Sequence, residues 1–424
     1  MKTVHFVGAD GERFAVLVHE DGMPDYWANR WAVGRLRTSG HAANSISTKL
    51  RAVALLYKAL PVTSDLTPRL ARGEWLTVVE TDHLLQQLSR RAEAVQPYGD
   101  AIAPIAPKRE HKVVSLENMR SKLTTRHDEE FVDTNTKFLR TLFIREFLGW
   151  RADQHIVSLR GATKAAFAEA AAQVDAYIDD HTAKINNDPR FTNPKGLDEA
   201  QQDVLLEAIN PDSPNNPWKN DRFIRVRNQL VVQLMVATGP RRGGVLGIRT
   251  SDFDPLTGRL QIVRRKDDPE DSRPVQTGNK KGACLISLDY GLIKNLKTYL
   301  VLRHKLLVHK RRQTPYLIIS SKGDALEQSS INYIMRSLRA IPGLEGIHPH
   351  LLRHTWASNF VADAVAKGVD IAMIEEDLRW LGGWSKRSDM PSHYTSAYRH
   401  RSAEKRSLEL QEKLVPLVNP RKPK

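Results

Sequence analysis

The sequence predicts a mainly α fold with a small β component, in which a helical N-terminal half precedes a mixed, mainly helical C-terminal half. Three observations carry this expectation. Apolar residues recur at three- and four-residue spacing through long runs such as "SISTKLRAVALLYKAL" and "FIRVRNQLVVQLMVATG". Strand-like runs are few and short. A stretch rich in Asn, Pro and Gly, "INNDPRFTNPKG", interrupts the pattern and sets the main boundary near residue 192.

Taken in order, "TVHFV" and "RFAVLVH" flank the polar turn "GADGE" and predict a hairpin. From about residue 40 the period becomes helical. "SISTKLRAVALLYKAL" puts Ile46, Leu50, Val53, Ala54 and Tyr57 on one face, with Ser45 or Ser47 as N-cap. "TVVETDHLLQQLSRRAEAV" predicts a second amphipathic helix. Residues 97–116, rich in Pro, Ala and Lys, read as a linker. "TNTKFLRTLFIREFLGWRA" and "GATKAAFAEAAAQVDAYIDDH" are helical, as are "LDEAQQDVLLEAI" and "FIRVRNQLVVQLMVATG" beyond the boundary. "RLQIVRRKDD" and "KKGACLISL" predict two strands, "GLIKNLKTYLVLRHKLL" a helix and "PYLIIS" a strand. "SSINYIMRSLRAI" then predicts a helix with serine at its start, and "IAMIEEDLRWL" one stopped by Gly382 and Gly383. No internal repeat or low-complexity block is visible.

Composition narrows the class of function. Lys and Arg number 64 against 49 Asp and Glu, a formal charge of +15 in 424 residues. With a pI near 9.8, this is the charge balance of a protein that meets a polyanion. The single cysteine, Cys284, excludes an intrachain disulfide and a Cys-rich zinc module, and in "ACLISL" it reads as a small buried hydrophobe. No apolar run reaches the ~18 residues of a membrane span, and the N-terminus lacks the apolar core of a signal peptide. A soluble, cytoplasmic, nucleoid-associated protein is the expectation.

Four clusters in the C-terminal half could carry chemistry. In "ATGPRRGGVLGIRTSDFD", Pro240 suits a first helical turn, which sets Arg241 at a helix start among backbone donors. In "TGNKKGACLISL", Lys280 or Lys281 leaves a hairpin and can donate a proton or contact a phosphate. In "HPHLLRHT", His350 and His354 have the i, i+4 spacing of a metal pair, but Leu351 stands where a zinc-protease helix carries glutamate. His350 and Arg353, three apart behind Pro349, instead suit a phosphate at a helix N-terminus. In "RWLGGWSKRSDMPSHYTSAY", a polar stretch leads from Trp384 to Tyr394. Each cluster alone is also what a solvated or packed side chain looks like.

Together, in this order, the four resemble the catalytic domain of the tyrosine recombinases, the phage-integrase family, over roughly residues 195–400. The resemblance implies a mixed α/β catalytic domain at 193–424 with a C-terminal docking tail, a helical core-binding DNA-binding domain at 39–192, and an N-terminal hairpin or arm at 1–38. It implies the roles of Arg241 and Arg353 as the paired arginines, His350 as the histidine between them, Lys280 as the hairpin lysine, Trp384 as the aromatic replacement of a further histidine, and Tyr394 as nucleophile. Such an enzyme cleaves and rejoins DNA through a 3′-phosphotyrosine bond, without metal, ATP or other cofactor, as a tetramer on double-stranded DNA. It serves DNA recombination, whether integration, excision or resolution, as in mobile genetic elements, with a partner recombinase or DNA-bending protein in some cases. His354 is left a structural part, packing or hydrogen-bonding behind the site. Gly243 and Gly244 depart from the family, standing where an acidic residue is usual. Tyr398 is a rival nucleophile because Trp384 and Tyr394 lie one residue further apart than usual. Alternatives are a silent DNA-binding regulator and a topoisomerase of type IB.

Overall fold

The computed structural model describes residues 1–99, 130–182, 196–263, 265, 267–273 and 284–414. The linker expected near 97–116 falls outside these from residue 100 onward, as do Lys280 and Lys281. The chain divides into two compact units, Met1–Asn186 and Asn187–Lys424.

In the first unit the opening hairpin forms from β1 (Lys2–Val7) and β2 (Arg13–Val18), antiparallel with Phe6 opposite Phe14. Helix α1 (Tyr26–Trp31) is capped by Asp25, whose carboxylate accepts from the Ala28 N–H. The long helix α2 (Ala43–Ala59) presents Ile46, Leu50, Val53 and Leu56 to the core. Its N-cap is Ala42, without a side-chain bond, rather than Ser45 or Ser47. Ser47 is buried inside the helix, so burial outweighs its capping preference. After α3 (Thr67–Ala71), α4 (Val78–Gln87) starts with a capping box in which Thr77 and Glu80 satisfy each other's backbone N–H. Helices α5 (Thr134–Ile156) and α6 (Gly161–Asp180) complete a core that includes Trp31, Phe147 and Phe167.

The second unit contains the four clusters. Helices α7 (Glu199–Ile209) and α8 (Arg222–Thr238) lead in, and α8 is buried around most of its circumference. The short α9 (Arg242–Leu246) follows, then the antiparallel strands β3 (Phe253–Asp254), β4 (Arg259–Ile262) and β5 (Cys284–Ser287). Cys284, at the start of β5, is only partly buried. Helices α10 (Tyr290–Lys310), α11 (Gln328–Arg339), α12 (Pro349–Ala366), α13 (Ile371–Gly382) and α14 (Met390–Leu414) complete the unit, α10 and α12 packing on α8.

Two local expectations fail here. "PYLIIS" is not a strand but a buried segment with single bridges at Tyr316 and Ile319. Side chains take the carbonyls that a strand partner would need. Arg303 donates to the carbonyls of Thr314, Tyr316 and Leu317, and the Tyr299 hydroxyl also donates to Leu317. Helix α11 is preceded by Glu327 at the N-cap, and its serines lie inside the first turn.

Candidate active site

The site gathers at the N-terminal end of α12. Pro349 takes the first helical position, where its missing N–H is no loss, and His348 is the extended residue before it. The next turn therefore projects His350, Arg353 and His354 from one end of the helix. Thr355 anchors that turn by accepting from the Leu197 N–H at 2.9 Å and donating to the Leu351 carbonyl.

Arg353 is nearly fully buried. It donates to the Gly239 carbonyl at the end of α8 (2.5 Å) and to the Gly382 carbonyl at the end of α13 (2.7 Å). Its guanidinium carbon lies 4.0 Å from the centre of the Trp384 ring, a cation–π contact. One side chain thus joins three helix ends. Burial, then the like charge of Arg241, lowers its pKa to about 10, so it stays charged at neutral pH.

Arg241 sits at the start of α9 as expected, as its N-cap, but Pro240 stands before the cap rather than in the first turn. Its half-buried guanidinium makes no hydrogen bond or ion pair to the other described residues. The neighbouring Arg242 does, bonding Asn332 and Gln328 on α11. With only five residues, α9 supplies little dipole, so Arg241's own charge is what faces an anion here. Gly244 lets α9 lie close to β4, since an added Cβ would stand 3.3 Å from Ile262. That contact gives a packing reason for one of the two glycines.

Tyr394 comes from the first turns of α14 and is 1% exposed. Thr395 beside it donates to Glu375 on α13 at 2.7 Å, fixing the register of the two helices. Trp384 packs the tyrosine, with ring centres 5.8 Å apart, and stacks on Trp356. Burial pushes the phenol up to about 12, while Arg353 and Arg241 pull the other way. Tyr398, a turn later, packs against the apolar cluster of α12–α14.

The histidines separate in an unexpected way. The Tyr394 hydroxyl lies 2.8 Å from Nδ1 of His354, within hydrogen-bond distance. His350 touches His354 edge to face, with ring centres 4.2 Å apart. Burial, then Arg353, His348 and Arg241, lowers the pKa of His350. His354 falls to about 4 through burial, then His350, His348 and Arg353. Both rings are neutral at pH 7. The spacing in the sequence left His354 a structural part, packing or hydrogen-bonding behind the site, but not this partner. It shows which face of α12 His354 occupies and not that α14 crosses that face. Among the described residues no three His, Cys, Asp or Glu side chains gather as metal ligands, and none of their helices is long and apolar enough to cross a membrane.

Residues 197–401 match the model of the Phage integrase family. Tyrosine recombinase XerD of Mycobacterium tuberculosis is 25% identical over 226 residues, covering 53% of this chain and 64% of that protein. Tyrosine recombinase XerC of Thermodesulfovibrio yellowstonii is 29% identical over 160 residues, covering 37% and 47%. The match spans less than two thirds of either relative's length. A crystal structure of XerH site-specific recombinase, bound to palindromic difH substrate in a post-cleavage complex, aligns with 63% of this chain and 71% of that chain at 20% identity and a TM-score of 0.40.

Proposed function

Residues 197–401 place the chain in the phage integrase family, and on that premise we propose that it is a site-specific DNA recombinase or integrase working through a covalent 3′-phosphotyrosine intermediate. The observation that carries this reading is the half-buried guanidinium of Arg241, unpartnered among the described residues, beside Arg353 and the Tyr394 hydroxyl. Two cations facing one phenol have no structural use for each other. A phosphodiester seated among them would neutralise both.

The chemistry follows from the residue types. A neutral phenol is a poor nucleophile, and its attack on phosphorus builds charge on the non-bridging oxygens. Arg241 meets that charge with a free fork of donors, and Arg353 with the three N–H groups that remain after two of its five are bound to carbonyls. Neutral His350, close to both arginines, shares the phosphate contact. Trp384 holds the Tyr394 ring and the Arg353 plane and exchanges no proton. Lys280 is the proposed acid that protonates the departing 5′-oxygen. The phosphotyrosine bond keeps the energy of the phosphodiester, so a second 5′-hydroxyl can reverse the step onto a new strand. No metal or nucleotide is needed.

Double-stranded DNA is the proposed partner, attracted by the +15 charge, with 39–192 as the core-binding DNA-binding domain and the active form a homotetramer in the cytoplasm. Covalent capture tests the reading. Wild type and Tyr394→Phe are incubated with a randomised duplex library, and adducts that survive denaturant are sequenced. Adducts at a shared sequence in wild type and none in Tyr394→Phe are expected. Adducts persisting in Tyr394→Phe would move the nucleophile to Tyr398 or elsewhere. None in wild type, despite tight DNA binding, would overturn strand cleavage.

A further inference from the structure

The side chain that touches the proposed nucleophile is not the histidine paired with the arginines. His350 makes no hydrogen bond to Tyr394 among the described residues, whereas His354 Nδ1 meets the phenol oxygen at 2.8 Å. The direction of that bond follows from the charges around it. Burial pushes the phenol up to about 12 against the pull of Arg353 and Arg241, so it keeps its proton and has an O–H to donate. The neutral imidazole ring offers Nδ1 as acceptor, its own proton residing on Nε2. The groups facing His354 are His348, His350 and Arg353 on α12 and Tyr394 on α14; Arg241, on α9, acts on the phenol. No carboxylate stands among them.

We propose that His354 is a further catalytic residue of this site, holding the Tyr394 phenol in the DNA-free protein and taking its proton when the phenol attacks phosphorus. This rests on the strand-cleaving function proposed above. The balance is simple. The Tyr394 O–H bond breaks as an N–H bond forms at His354 Nδ1, and the Oη–P bond forms as the P–O5′ bond breaks. The 5′-oxygen takes its proton from the acid proposed above, and rejoining runs each movement backwards. The ring is weakly basic without DNA because burial and neighbouring positive charge disfavour its protonated form. A phosphodiester bound to Arg353 cancels part of that charge and adds a negative one close by. The base therefore strengthens only when substrate is in place, and the phenol stays protonated and buried until then.

Two measurements test this on the full chain. In the first, nitrogen-labelled histidine is observed by NMR without DNA, the His354 signal being assigned by its loss in His354→Gln. Tyr394→Phe is expected to shift the His354 Nδ1 resonance well beyond that of His350; an unmoved signal overturns the contact. In the second, adduct formation on a randomised duplex library is timed for wild type and His354→Ala. A loss of about 100- to 10,000-fold is expected, with recovery by added imidazoles that rises with the basicity of the imidazole. A loss without such recovery, or no loss, overturns proton acceptance in favour of packing. If wild type forms no adduct, strand cleavage and the proton transfer built on it both fall, while the NMR shift still decides the hydrogen bond.

Discussion

Arg353 holds two carbonyls and stacks on a tryptophan, so at the scale of single residues it is structural as well as a candidate phosphate ligand. Lysine carries the same charge on a single point and cannot span the Gly239 and Gly382 oxygens in one plane. Arg353→Lys is therefore expected to leave one buried carbonyl unpaired and to destabilise the second unit by about 1–3 kcal/mol, measured by chemical denaturation. Unchanged stability would show that the carbonyl bonds are incidental. His354 makes a second prediction, with a sign. Its pKa is 6.5 in an unstructured chain and about 4 here, so the folded state binds the proton more weakly than the unfolded one. Its contribution to stability is complete above pH 6.5 and is lost as pH falls through 4. The stability difference between wild type and His354→Gln should shrink across that interval. Denaturant titrations at several pH values check it, and a constant difference would contradict the depressed pKa.

At the scale of elements, the site depends on how helices end. Gly239 closes α8 with φ of 67°, and an added Cβ would lie 2.0 Å from the Trp356 ring. Gly383 closes α13 with φ of 62° and has open space around it. Gly383→Ala should cost only the left-handed backbone share, about 1–2 kcal/mol. Gly239→Ala should cost that and the displacement of Trp356, so its thermal midpoint should fall clearly further. Equal midpoints would mean that Trp356 moves aside freely. These ends also explain what the sequence made legible. Helical periods, the Pro349 start and the Gly383 stop are local signals, and they located α8, α12 and α13 along with Arg241, His350 and Arg353. "PYLIIS" misled because its strand-like composition says nothing of Arg303, which reaches from α10 to occupy its carbonyls. Ser47 misled because tertiary burial outweighs a capping preference worth about 1 kcal/mol, and Ser45 because the helix starts earlier, at Ala43, and encloses it. The contact between His354 and Tyr394 was illegible for the same reason, since only packing brings α14 across α12.

For the whole molecule, the proposed assembly on DNA needs a surface through which copies of the chain could meet, and α14 offers one. Its first turns are buried around Tyr394 and Ala397, yet residues 403–414 are exposed on every side, with Leu408, Leu410 and Leu414 each more than half exposed. Leucines this exposed, on a stretch where Lys405, Arg406 and Lys413 balance Glu404, Glu409 and Glu412, bury little against the described residues of their own unit. Bare leucines in water suggest a surface that is covered in the working assembly. This fits the docking tail that the family resemblance implies. The chain ended after Ser402 keeps Tyr394 and every contact described for it. It is expected to unfold at the same midpoint as the full chain and to bind DNA with similar affinity per copy, while sedimenting on DNA as a monomer where the full chain forms higher complexes. A truncated chain that still assembles on DNA would show that the copies meet elsewhere and that the leucines of α14 serve some other contact.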